Sequence, residues 1–308
     1  MFFSPPDDSS TFTRTVVQQV PDVAGIYLDS SGALTSTSRN GHVRSGDGGE
    51  YDLGQKVIAT ATSAAGVLAV ATADGILLLV GSGSPPVKIN LEDPKDIVVM
   101  AISPDGKLLA TGNSRGQLVV WDISDPGRPE IVLPHMQMQA APVTAVTFSP
   151  DGRFLAAGDT SGLLLLWSPD PSIANRTLIV PTPTIRPVTA LSFSPSNTGE
   201  LVIGDTSGTV SFMQIVRGGE GVPLMAVPKT TARLQQGAIT SLAYSADGKL
   251  VVVGGRSGTT VLFPGGNRSP ESLDTGPVVA VSFSGGHASD KFAVATTAGD
   301  VEIWSWNT

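Results

Sequence analysis

The 308-residue sequence contains no cysteine, only three histidines and few aromatic or charged residues. The absence of cysteine excludes disulfides, thiolate metal sites and cysteine nucleophiles. A metal site would need several converging ligands, and His42, His135 and His287 lie in three separate parts of the sequence, so none is expected. The hydrophobic fraction of 41% and charged fraction of 15% indicate a well-buried globular chain rather than a disordered one.

Long apolar runs are also missing. No stretch reaches the roughly 18 apolar residues of a membrane-spanning helix, so we expect no membrane insertion. The opening sequence MFFSPPDDSS has neither the basic nor the hydrophobic region of a secretory signal. These features, with the lack of cysteine, predict a cytoplasmic or nuclear location. The net charge of −8 argues against nucleic acid as a partner.

Glycine and proline are abundant, with 35 and 23 residues, as expected for many short strands joined by turns. Seven related segments follow one another along the chain. The clearest pair is VMAISPDGKLLATGNSRGQLVVWD and VTAVTFSPDGRFLAAGDTSGLLLLWS, which begin at Val99 and Val143. A glycine ends the second turn of each segment, at intervals of 34 to 50 residues, which is typical of a β-propeller. These glycines are Gly41, Gly75, Gly116, Gly162, Gly208, Gly258 and Gly299.

Each segment predicts one four-stranded blade. The last segment supplies only three strands, whereas a strand-like segment near the N-terminus has no blade of its own, so we predict that it completes the last blade and closes the ring. The predicted fold is all-β, a single seven-bladed β-propeller over residues 1–308. Its predicted parts are the closing strand 10–20 and blades 21–56, 57–96, 97–142, 143–187, 188–238, 239–277 and 278–308.

The repeats share three further features. A Ser-Pro-Asp-Gly corner occurs at Ser103 and Ser149, the second strand tends to end in Ala-x-Gly, and Trp121, Trp167 and Trp304 lie five positions after a second-turn glycine. In these features the chain resembles the WD-repeat family, which implies the propeller fold but no single function. A fainter similarity to the WD-repeat actin-interacting proteins lies in the plain turns and the degenerate first blade.

The sequence departs from the WD-repeat pattern in one respect. No Gly-His pair opens a blade, so the hydrogen-bonded tetrad of that family is incomplete, and we expect packing to hold the blades together. Asp159 and Asp205, in the two GDTSG turns, are expected to bond local backbone amides and hydroxyls instead.

Catalytic signatures are weak. The acids of the SPDG and SADG corners, Asp105, Asp151 and Asp247, are predicted in separate type I turns. No Gly-x-Ser-x-Gly elbow precedes a helix. We therefore expect no catalytic residue, no cofactor and no metal.

The second-to-third-strand turns and the blade-to-blade loops should emerge at the same face of a propeller. They carry arginine and methionine side chains, which suit contact surfaces. We predict a non-catalytic scaffold that presents this face to a protein or peptide partner, alone or in a larger complex. The alternatives are an actin- or cytoskeleton-regulating protein, an enzyme or small-ligand binder using the central channel, and a domain of a longer protein. The predicted partner-binding residues are Arg115, Arg186, Arg233, Arg256, Asp159, Asp205, Met136 and Met138.

Overall fold

The computed structural model describes residues 11–46, 48–80, 86–89, 96–137, 141–170, 176–197, 199–216, 224–234, 237–265, 268–284 and 291–307. Within these residues the chain forms 28 β-strands, arranged in seven four-stranded antiparallel sheets. No helix in this part of the chain is long and apolar enough to cross a membrane.

The sheets of the first half follow the chain order. Blade 1 contains β2 (Val23–Leu28), β3 (Leu34–Ser38), β4 (His42–Arg44) and β5 (Glu50–Asp52). Blade 2 contains β6 (Val57–Thr62), β7 (Val67–Thr72), β8 (Gly75–Val80) and β9 (Val87–Ile89). Blade 3 contains β10 (Ile97–Ile102), β11 (Leu108–Asn113), β12 (Gln117–Asp122) and β13 (Glu130–Gln137). Blade 4 contains β14 (Val143–Phe148), β15 (Leu155–Asp159), β16 (Leu163–Trp167) and β17 (Thr177–Pro181).

The second half continues the pattern. Blade 5 contains β18 (Val188–Phe193), β19 (Glu200–Asp205), β20 (Thr209–Val216) and β21 (Met225–Arg233). Blade 6 contains β22 (Ile239–Tyr244), β23 (Val251–Gly255), β24 (Gly258–Leu262) and β25 (Glu271–Leu273). Blade 7 contains β26 (Val278–Phe283), β27 (Lys291–Thr296) and β28 (Asp300–Asn307), and its fourth strand is β1 (Thr11–Gln19).

The closing strand pairs antiparallel with β28, from Thr11 opposite Asn307 to Gln19 opposite Asp300. This pairing confirms the predicted seven-bladed propeller and its closure by an N-terminal strand. Because β1 covers the outer edge of β28, the last sheet has four strands like the other six.

The innermost strands share one irregularity. In all seven blades the first strand bulges at its second residue, which has no partner on the second strand. In blades 4 and 6 this residue is a threonine that links neighbouring blades: Thr144 Oγ1 donates to the Val188 carbonyl at 2.5 Å and Thr240 Oγ1 to the Val278 carbonyl at 2.8 Å. The seven bulged residues are Ala24, Ile58, Val98, Thr144, Thr189, Thr240 and Val279.

The apolar core lies between adjacent blades and not within them. One cluster, for example, joins Leu164 and Leu166 of blade 4 to Val188, Leu201 and Met213 of blade 5. Packing between neighbouring sheets therefore holds the ring together, as expected for a chain without the tetrad.

Blade 1 is the exception to this dense packing. The clusters on its two sides contain only four buried residues each, and its second strand buries Ser36, Thr37 and Ser38 in place of apolar side chains. Its third and fourth strands have three residues each.

Candidate partner-binding face

The turn between the second and third strands lies beside the loop that enters the same blade. The residue after the second strand donates its backbone N–H to the carbonyl of the residue that precedes the first strand. This bond is 3.1 Å from Thr160 to Pro142, 3.2 Å from Thr206 to Pro187 and 3.2 Å from Arg256 to Ala238. The structure therefore brings these turns and loops together at one end of the propeller, which we name the loop face.

Asp159 and Asp205 organise two turns of this face. Asp159 Oδ1 accepts bonds from the Ser161 amide at 2.9 Å, the Ser161 hydroxyl at 2.7 Å and the Leu163 amide at 2.9 Å. Asp205 makes the same three bonds with residues 207 and 209. The expected local bonding is confirmed, and these bonds close the turn in place of a tetrad.

The same two carboxylates are not exposed to a partner. Asp159 is 0% and Asp205 is 2% exposed, and the second oxygen of each has no hydrogen-bond partner in the described part of the chain. The structure thus corrects the partner-binding role expected for Asp159 and Asp205. They hold the turns in shape from the interior, and other residues form the exposed surface of the loop face.

The remaining predicted residues are placed as follows. Arg115 is exposed in the blade 3 turn and is ion-paired with Asp96. Met136 lies on β13 opposite Leu118, and Met138 lies outside the described residues. Of the histidines, His42 is on β4 and His135 on β13, whereas His287 is also outside the described residues.

Three arginines are exposed on the loop face of blades 4 to 6. Arg186 lies in the loop between β17 and β18, Arg233 ends β21 opposite Thr209, and Arg256 lies in the turn after β23. Their side chains make no hydrogen bond or ion pair with any residue that the structure describes. Among the described residues of this face in blades 4 to 6, Asp159 and Asp205 are buried, and Asp274, in the loop that leaves blade 6, is the exposed carboxylate. Three exposed arginines against one exposed aspartate give this part of the face a local excess of positive charge on a chain of net charge −8.

Ile185 precedes Arg186, and no sequence pattern marks it as a candidate site residue. It is 65% exposed, the largest value among the exposed large hydrophobic residues that the structure describes. Its φ of 49° lies in the left-handed region, which β-branched residues avoid. Its only sequence signal is its place in the loop PTPTIRP, because neither exposure nor φ can be read from a single isoleucine.

The SPDG corners lie away from this face, in the turns between first and second strands. Ser103 Oγ donates to Asp105 Oδ1 at 2.6 Å and accepts from the Leu108 amide at 2.9 Å, and Ser245 and Asp247 form the same corner in blade 6. Burial raises the pKa of Asp105, but the bonds from Ser103 and from the Lys107 amide outweigh it and hold this pKa below its ordinary value.

No group of three or more histidine, aspartate or glutamate side chains is placed to share a metal ion in the part of the chain that the structure describes. The acids of the corners remain in separate blades, so each serves its own turn.

One family model matches most of this sequence. The model of the family described as the lipoprotein LpqB beta-propeller domain matches residues 74–305. The comparison with curated proteins found no match.

Two solved structures share the fold. A chain in the crystal structure of the mitotic checkpoint complex is 15% identical, with a TM-score of 0.75, over 100% of this chain and 96% of that chain. The beta-propeller domain of Cps50 (Swd1) from Myceliophteria thermophila is 16% identical, with a TM-score of 0.71, over 96% of this chain and 100% of that chain. At such identities the likeness shows the fold alone.

The family match changes two expectations. The match supports the propeller fold, but it does not confirm membership of the WD-repeat family that the corners resemble. The expected cytoplasmic or nuclear location is wrong, because the matching family is that of a lipoprotein; the absence of cysteine and of a visible signal was insufficient to assign a compartment. Since the match covers most of the sequence, this chain belongs to the family of the lipoprotein LpqB β-propeller domain.

Proposed function

We propose that this propeller is a non-catalytic protein-interaction module that binds a protein or peptide partner through the loop face of blades 4 to 6. One observation carries the proposal: Ile185, exposed and held at a positive φ, lies beside Arg186, and the three arginines of blades 4 to 6 on this face have no hydrogen-bond or ion-pair partner among the described residues. A left-handed backbone at a β-branched residue costs about 1–3 kcal/mol and persists only where the surrounding structure fixes it, and such strain clusters at functional sites.

The chemistry of this face defines the partner. An exposed isoleucine offers an apolar anchor, and arginine is enriched among the residues that dominate binding energy. Arg186, Arg233 and Arg256 complement carboxylates, which would both steer and orient the partner. The closed ring keeps the three blades in fixed relation, so little conformational entropy is lost on binding.

The comparisons support the general part of this proposal. One similar structure was determined within a protein complex, the mitotic checkpoint complex. The actin-regulating and channel-based alternatives are not proposed, because no feature of the described residues favours an actin partner or a site in the channel.

The test uses a substitution that separates binding from folding. Asparagine tolerates the left-handed region, so Ile185→Asn should leave the thermal stability of the fold equal or higher while removing the apolar anchor. Arg233→Glu with Arg256→Glu should reverse the charge of the face. Arg128→Glu, an exposed arginine between β12 and β13 at the opposite end of the propeller, is the matched control.

Each variant is used to capture partners from an extract of the source organism, followed by mass spectrometry. We expect a partner that the wild type and Arg128→Glu capture and that the loop-face variants lose. Capture of the same partner by folded Ile185→Asn and by the double charge reversal would place the binding surface elsewhere.

A further inference from the structure

A cleft of about 570 Å³ opens between blades 5 and 6. Its lining includes Ser196 and Gly248, from the first turns of the two blades, so it opens toward the end of the propeller opposite the loop face. Phe212, Leu262 and Phe263 supply apolar walls. A cavity of this size and lining falls in the range of ligand sites, roughly 300–1,000 Å³.

Among the described residues that line the cleft, the one carboxylate, Glu200, already has its hydrogen bonds satisfied. Glu200 is buried, and its Oε1 accepts a bond from the Tyr244 hydroxyl at 3.0 Å. Its Oε2 accepts from Asn197 Nδ2 at 3.0 Å and from Lys229 Nζ at 2.5 Å. Burial, followed by the nearby Glu200 charge, raises the pKa of Tyr244 well above its ordinary value, so the phenol remains a donor. Glu200 therefore has little capacity to bind a cationic ligand.

The hydrogen-bonding capacity that remains at the mouth is cationic. Lys229 uses one of its three N–H donors on Glu200, and its side chain is partly exposed. The Arg268 guanidinium lies 4.7 Å from the centre of the Phe263 ring and 3.4 Å from Glu271, which leaves further donors of its five. A carboxylate attached to an apolar body complements this arrangement.

An apolar strip extends the cleft along the side of blade 5. Val216 pairs with Met225 and Gln214 with Val227, so these residues lie on the same sheet face as Phe212. Val216, Met225 and Val227 are between 42% and 49% exposed.

The strip is uncovered because the facing blade ends early. The outer strand of blade 5, β21, has 9 residues, whereas the outer strand of blade 6, β25, has 3. From Met225 to Lys229 an extended chain advances about 13 Å, at roughly 3.3 Å per residue. The strip and the cleft together are longer than a small molecule requires.

We propose that this groove binds an extended peptide segment of a protein partner, with its apolar side chains along the strip and in the cleft and a carboxylate at Lys229 and Arg268. The length of the groove argues for a peptide, and the unused cationic donors define its charge. The proposal does not depend on the loop face, because the two surfaces share no residue.

The probe is a phage-displayed library of random 12-residue peptides, selected on the intact protein. The best peptide is then labelled and its affinity measured by fluorescence polarisation. Arg268→Met and Val227→Ser each alter the groove, and their matched controls are Arg128→Met and Val132→Ser, the latter an exposed valine on the outer strand of blade 3. Melting temperatures verify that every variant folds.

We expect enriched peptides with an aspartate or glutamate next to aromatic or aliphatic residues, at least tenfold weaker binding to both groove variants, and unchanged binding to the controls. Failure to enrich any peptide, enrichment of basic peptides, or equal binding to folded groove variants would overturn the proposal. Peptides that Ile185→Asn loses belong to the loop face, and a selection that yields only those would overturn it as well.

Discussion

The spacing between blades depends on glycine at one repeated position. In blade 4, Gly158 lies on the second strand against the first residue of the next blade, Val188, which is completely buried. A Cβ atom at Gly158 would lie 2.3 Å from Val188 Cγ1, 2.6 Å from its Cβ and 3.0 Å from its Cγ2. The same contact joins Gly204 to Ile239 and Gly254 to Val278. These contacts explain the glycine of the Ala-x-Gly pattern.

The cost of Gly158→Ala follows from these distances. Carbon atoms pack at about 3.5–4.0 Å, so the new methyl group requires the two blades to separate by about 1 Å. Val188 cannot easily rotate away, because a β-branched side chain has few rotamers. Overpacking of this kind destabilises by about 1–3 kcal/mol, and we expect the upper part of that range because all three contacts belong to one stiff side chain.

Urea denaturation followed by tryptophan fluorescence measures this cost. Gly152→Ala is the control, because Gly152 has a φ of 70° but no atom within 4 Å of a Cβ, so it reports backbone strain without a clash. The double variant Gly158→Ala with Val188→Ala should be less destabilised than the sum of the two single variants. A free energy of unfolding within about 0.5 kcal/mol of wild type for Gly158→Ala would refute the packing argument.

Two further predictions concern the carboxylates of the turns. Asp159→Ala removes the acceptor of three hydrogen bonds and should lower the free energy of unfolding by about 2–4 kcal/mol. Asp159→Asn should lower it by less than about 1 kcal/mol, because Asn113 already accepts two amide bonds at the same position in blade 3. Equal losses for the two variants in chemical denaturation would contradict this prediction. In blade 6, burial raises the pKa of Asp247 but hydrogen bonds from Ser245 and the Lys249 amide outweigh it, so its pKa lies below the ordinary value of about 3.9. The Asp247 carboxylate therefore stabilises the fold above that pH, and the stabilisation is lost as the pH falls through the pKa of the folded state. The difference in melting temperature between wild type and Asp247→Asn should shrink from pH 7 to about pH 2. A difference that stays constant with pH would show that the charge of Asp247 does not contribute to stability.

The fold could be predicted because its signals are local and repeated. The SPDG corners set the phase of the repeat, since a turn with Pro and Asp at its centre leaves few alternatives for the backbone. The closing strand followed from counting, as one blade lacked a strand and one strand lacked a blade. Asp159 and Asp205 were correctly expected to bond within their turns, because an Asp at the end of a strand commonly caps the next amides.

The candidate sites could be predicted only in part. The loop face followed from topology, but burial decides which of its side chains a partner could reach, and burial depends on neighbouring blades. Thus Asp159 and Asp205 are enclosed, and Arg115 is paired with Asp96. The cleft between blades 5 and 6 had no sequence signal, because it results from the unequal lengths of β21 and β25.

Both proposed surfaces rest on features that the blades do not all share. The bulge occurs in all seven blades, the glycine-closed corner in five described blades and the glycine contact with the next blade in four, and these features serve the ring itself. Ile185 has a left-handed backbone, and the nine-residue outer strand of blade 5 lies beside the three-residue outer strand of blade 6. Closing the ring requires neither feature, and each exposes apolar side chains next to cationic ones. A protein under selection for folding alone would gain from a loop without strain at residue 185 and from a shorter β21, so their presence together on blades 4 to 6 argues that this part of the ring is the one that contacts partners.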